Sequence, residues 1–166
     1  VMEAGRTVLG SFLEAGVIAV IGICILLFAV LRRPIALALV FVPVLLAGLW
    51  TIALTVLGGL SFNLANVIIL PLLFGLGVAG AIHLVARARA MGNPSQAMTT
   101  STPRAVLLSA LTTIGSFGSI SLSAHPGTAS MGILLMIAIT MTVVATLVFL
   151  PSLMILVGRG QIFERT

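Results

Sequence analysis

Residues 35–57 read IALALVFVPVLLAGLWTIALTVL, a run with no charged side chain and Thr51 and Thr55 as its only hydroxyls. A bilayer's hydrocarbon core is about 30 Å thick, and roughly 20 apolar helical residues cross it. The run is therefore read as a membrane-spanning helix. Working outward, stretches 15–31, 64–86, 105–124 and 129–157 have the same character. The first is short, and Phe12 and Leu13 can lengthen it; the last is long enough to tilt, or to bend at Pro151. The expected fold is all-α: a polytopic transmembrane bundle of five spans over 15–158, with short loops.

The rest of the composition agrees. No acidic residue lies between Glu14 and Glu164, Lys is absent, 60% of residues are hydrophobic and 7% are charged. A water-soluble domain built this way would have nothing to offer water. Five spans leave no room for a folded soluble domain. Cys24 is the single cysteine and lies inside a span, so no disulfide framework or CxxC motif exists.

Charge placement sets the orientation. All eight basic residues are arginines. Arg32 and Arg33 lie between spans one and two, Arg87, Arg89 and Arg104 between spans three and four, and Arg159 and Arg165 after span five. Only Arg6 falls on the other side. By the positive-inside rule the C-terminus, with a short tail at 159–166, is cytoplasmic and the N-terminus is on the far side. A chain that starts there without a leader is expected to continue from a part already translocated, with 1–14 an amphipathic lead-in. The positive balance is read as topology and attraction to anionic headgroups, not as a nucleic-acid footprint.

The loops are minimal. Arg32-Arg33-Pro34 is a tight turn with Pro34 at the first helical position. Gly58-Gly59-Leu60-Ser61 is an outer turn in which Ser61 can cap span three. Within 87–103, Asn93 and Gln96 have the spacing of a capped short helix, expected to lie on the cytoplasmic surface. Thr102-Pro103 is expected to open span four, and His125-Pro126-Gly127 forms the last outer turn.

Few residues carry chemistry. Gly75, Gly77 and Gly80 spell GxGxxG, but a dinucleotide site needs a preceding strand and an acid about 20 residues on. In an apolar span these glycines, with Gly115 and Gly118, are read as close-packing positions. Span four carries Ser109, Thr112, Thr113, Ser116, Ser119 and Ser123 at helical spacing. Thr112, Ser116 and Ser119 are candidates for a proton or water path, or for interhelical hydrogen bonds. His83, an ionisable group near the end of span three, joins them; Asn66 is a candidate helix-bridging amide. His83 and His125 should lie on opposite membrane faces and cannot share a metal. No Asp exists for a Ser-His-Asp arrangement, and paired carboxylates are absent. No catalysis, metal or cofactor is expected.

The string FNLANVIILPLLFGLGV at 62–78, followed by Ile82-His83, resembles the fourth or tenth helix of RND-superfamily exporters of the MMPL type. SALTTIGSFGS at 109–119 resembles the next helix, and SAHPGTASMG at 123–132 the turn and last helix. The likeness is to the hopanoid-exporting branch of bacterial lipid transporters. It implies helices two to six, or eight to twelve, of a protein with two pseudo-symmetric halves. The end of the chain soon after its last span favours the C-terminal half. The implied setting is the bacterial inner membrane, with residues 1–14 leading in from a periplasmic part. The implied activity is proton-driven export of hopanoid-like apolar lipids. Implied partners are those lipids, the other half with its periplasmic domains, and a second copy in a homodimer. Many members carry an Asp in the glycine-rich helix, where this chain has Ala79 and Gly80. The other half would then supply the relay, with Thr112 and Ser116 across the interface. The alternative is a non-transporting lipid-sensing bundle that resembles a sterol-sensing domain.

Overall fold

A computed structural model describes residues 2–60 and 69–158. Every regular element among them is helical. Helix α1 covers Met2–Leu31, α2 Pro34–Leu57, α3 Ile69–Met91, α4 Pro94–Met98, α5 Ser101–Ser121, α6 Pro126–Val144 and α7 Leu150–Gly158. A π-helical turn, Ala145–Phe149, joins α6 to α7. The result is an all-α membrane bundle, as expected.

Among the described residues, three helices are long and apolar enough to cross a bilayer: Pro34–Leu57, Pro71–Met91 and Pro126–Val157. Glu14–Ala29 is a shorter apolar stretch inside α1. That helix runs unbroken through the expected lead-in, and its 30 residues measure about 45 Å. Helix α5 begins at Ser101 and ends at Ser121, ahead of the expected 105–124 at both ends. Its cap is Thr100, whose side chain accepts from the Thr102 N–H, so the helix opens before Thr102-Pro103. Asn93 caps α4 as expected, accepting from the Ser95 N–H at 2.9 Å. Ser61, Asn63 and Asn66 lie outside the described residues.

Helix α2 is the centre. Ala36, Leu39, Val40, Pro43, Val44, Ala47, Thr51 and Thr55 are buried along it, one helical stripe against α3 and α6. The opposite side, with Leu45, Leu49, Ile52 and Val56, is exposed and available to lipid. Thr51 and Thr55 sit in that core without cost in unpaired hydroxyls. Each donates to a carbonyl four residues back, at 2.7 and 2.6 Å.

Glycines set the closest approaches. A Cβ on Gly77 would stand 3.0 Å from Thr142 Cγ2 and 3.2 Å from Val44 Cγ2, which brings α2, α3 and α6 together. A Cβ on Gly132 would meet α5 backbone, at 2.6 Å from Ser121 N and 2.9 Å from Phe117 O. That is why α5 and α6 pack so tightly.

The turns follow from their residues. Pro34 forces Arg33 to extended backbone at φ −138°, and Arg32 reverses the chain at φ +50°. The π turn ends two residues before Pro151, which has no N–H and whose ring would clash with the carbonyl four residues back, that of Leu147 inside the turn. A widened turn relieves that clash and leaves Pro151 and Met154 buried in the bundle.

Candidate functional site

Where α3 and α5 diverge over α6, they leave a groove of about 480 Å³. Leu73, Leu76, Ala79, Gly80 and His83 line its α3 wall, spaced along one helix face. The α5 wall runs from Ser101 through Ala105, Ser109 and Ala110 to Thr113. Ile139, Thr142, Val143 and Thr146 form the floor. The small residues are what keep the space open. A Cβ on Gly80 would already stand 3.4 Å from Val106 Cγ1, and Ala79 adds only a methyl group.

The hydroxyls of this region point their protons at their own helices. Thr113 donates to the Ser109 carbonyl at 2.8 Å, and Thr142 to that of Ala138 at 2.7 Å. On the neighbouring face, Thr112 donates to Ser109 O at 2.7 Å, Ser116 to Thr112 O at 2.9 Å and Ser119 to Ser116 O at 2.6 Å. Such hydroxyls keep lone pairs free as acceptors. Thr146 is different: its buried Oγ1 has no hydrogen-bond partner among the described residues. The Ala145 N–H at the entry to the π turn is shared between the carbonyls of Met141 and Thr142, the latter one turn back from Thr146.

The structure divides the residues singled out by sequence. His83 lines the groove, as do Ser109 and Thr113; Thr112, Ser116 and Ser119 are exposed on α5 and do not line it. Gly77 packs against Thr142 and Val44, Gly80 faces Val106, and Gly118 would place a Cβ 3.5 Å from Met136 Sδ. Gly75 and Gly115 meet nothing within 4 Å. Residues 75–80 run within helix α3, without the strand and turn of a dinucleotide site. His83 lies at the Ser101 end of α5 and His125 at the other, beyond Ser121.

Sequence reasoning missed Thr142, Thr146, Ser101 and Thr102 as lining residues. The first two had a signal: hydroxyls four apart in an otherwise apolar span share a helix face. Gly132 was missed as a packing glycine, because no second glycine at helical spacing marks it.

The groove of hydroxyls and apolar side chains thus sits within a multi-pass helical membrane bundle. Residues 7–166 match the MMPL family, and the chain belongs to it. It is 44% identical over 154 residues to the hopanoid transporter HpnN of Rhodopseudomonas palustris (strain TIE-1), covering 93% of this chain and 18% of that protein. To the hopanoid transporter HpnN of Burkholderia multivorans (strain ATCC 17616 / 249) it is 42% identical over 154 residues, covering 93% and 17%. The Methanocaldococcus jannaschii protein MJ1562 is 31% identical over 149 residues, 86% of this chain and 38% of its own length. The chain thus spans less than a fifth of the hopanoid transporters it matches.

Proposed function

We propose that this chain is a membrane part of an RND-type lipid exporter that moves hopanoid-like apolar lipids from the inner membrane towards the outer membrane. The observation that carries the reading is the 44% and 42% identity to two hopanoid transporters along 93% of the chain. Proton flow is its energy source. Because Ala79 and Gly80 hold no proton, the relay carboxylate belongs to the other half of the protein.

The same reading takes α1 and α5 as the two spans that complete a set of five. Helix α5 is long enough at 21 residues but diluted by hydroxyls and glycines, as suits a helix facing protein instead of lipid. The N-terminus is periplasmic and the C-terminus cytoplasmic. Export is transport, not catalysis. The partners are the cargo lipid, the other half with its periplasmic domains, and a second copy in a homodimer.

The test is complementation. A Rhodopseudomonas palustris strain lacking its hopanoid transporter receives the full-length protein, and hopanoids are measured in separated inner and outer membranes. Restored outer-membrane hopanoid is the expected result. Hopanoid retained in the inner membrane, with the protein present there at normal level, contradicts the reading.

The absence of a carboxylate from α3 favours a second reading, a lipid-sensing bundle that moves nothing. The full-length protein in sealed vesicles separates the two. Proton uptake under a pH gradient belongs to the exporter, and its absence together with retained lipid binding to the sensor.

A further inference from the structure

Four hydrogen-bond donors crowd one end of the groove. His83, Ser101 and Thr102 line it, and Arg87, just beyond that lining, follows His83 by one turn on the same face of α3. None of these four side chains makes a hydrogen bond or ion pair within the described residues. Arg89, by contrast, turns away and is engaged with α1. No acidic residue occurs between Glu14 and Glu164, so the Arg87 charge is uncompensated from within this segment.

From that polar end the groove continues as a mainly apolar channel between Leu73, Leu76, Val106, Ile139 and Val143, where the Thr113 and Thr142 hydroxyls donate to their own helices. Its α5 wall from Ser101 to Thr113 is about 18 Å long. An apolar body with a cationic, hydroxyl-bearing mouth selects its occupant. A neutral lipid would leave Arg87 unpaired, and a soluble anion would leave the channel unfilled. A negatively charged head on an apolar tail satisfies both, with charge-assisted hydrogen bonds at the mouth.

We propose that this groove binds one anionic phospholipid, its phosphate held by Arg87, His83 and Ser101 and an acyl chain lying between α3 and α5. The site is independent of what the exporter carries. Surface potential alone would attract such lipids loosely to every arginine on this face; the groove makes one of them resident.

The test uses the full-length protein, stripped of lipid in detergent and then offered phosphatidylglycerol or phosphatidylcholine, with retained lipid counted by native mass spectrometry. Phosphatidylglycerol is expected to be retained at about tenfold preference, as hydrogen bonds to a charged group allow. Arg87→Gln should abolish that preference, and Ser101→Ala should weaken it about threefold, a milder variant should the first fold poorly. Arg104→Gln removes an equal charge from the face of α5 opposite its groove-lining residues and should change nothing. Ala79→Phe keeps every charge but obstructs the channel, and should also release the lipid. Equal retention of the two lipids, equal loss in Arg104→Gln and Arg87→Gln, or full retention in Ala79→Phe would each overturn the proposal.

Discussion

The Arg89 guanidinium donates to the Leu31 carbonyl at 2.9 Å, joining the C-terminal end of α3 to the last residue of α1 across 58 positions of sequence. Helix C-terminal carbonyls lack intrahelical donors and carry partial negative charge, so a guanidinium is well matched to them. The tie matters because α1 is otherwise lightly held. Leu27 and Leu31 are buried, whereas Val17, Ile18, Ile21 and Ile25 are exposed.

Arg89→Gln should therefore loosen α1 specifically. The bond is part-buried, and its loss is expected to cost about 1 kcal/mol. Thermal unfolding of the full-length protein should show the drop, and hydrogen exchange should rise at the end of α1. Arg104→Gln, which breaks no bond among the described residues, should leave both unchanged.

Gly132→Ala should be among the most damaging single substitutions in the bundle. Its methyl group would stand 2.6 Å from the Ser121 nitrogen, and backbone cannot swing aside as a side chain can. Overpacking of this kind costs about 1–3 kcal/mol. Gly22→Ala, with nothing within 4 Å, should be neutral or slightly stabilising. Equal effects of the two on unfolding would refute the close α5–α6 approach.

Thr146→Val tests the one buried hydroxyl left without a partner among the described residues. Valine keeps the shape and removes a polar atom whose burial is unfavourable by about 1–3 kcal/mol. The variant should unfold at a higher temperature than the parent. A lower temperature would mean that Thr146 is bonded in the whole protein, to a group beyond this segment.

Orientation can be checked by labelling, with Cys24 first replaced by Ala. An impermeant thiol reagent added from the periplasmic side should modify Ala124→Cys, in the turn before α6, and leave Ser95→Cys in α4 untouched. The reverse pattern would contradict the arrangement drawn from the arginines.

The architecture was readable because lipid imposes so strong a pattern. The run at 35–57 returned as α2 within a residue, since an uncharged apolar stretch bounded by Pro34 and Gly58-Gly59 has little other choice. Asn93 gave away α4 through its cap. The groove was harder. Hydroxyl spacing on α5 defined a face, but two of its members, Ser109 and Thr113, line the groove while Thr112, Ser116 and Ser119 do not. Helix rotation is set by packing against α6, above all at Gly132, which periodicity does not report. The π turn was equally hidden. Pro151 announces a disturbance, but whether the helix bends or widens depends on the helices around it.

The most direct test of the lipid-export account is mass spectrometry of lipids that co-purify with the full-length protein, compared with bulk membrane of the same cells. The account predicts strong enrichment of a hopanoid or another polycyclic apolar lipid. A co-purified lipid profile identical to bulk membrane would contradict the proposed cargo.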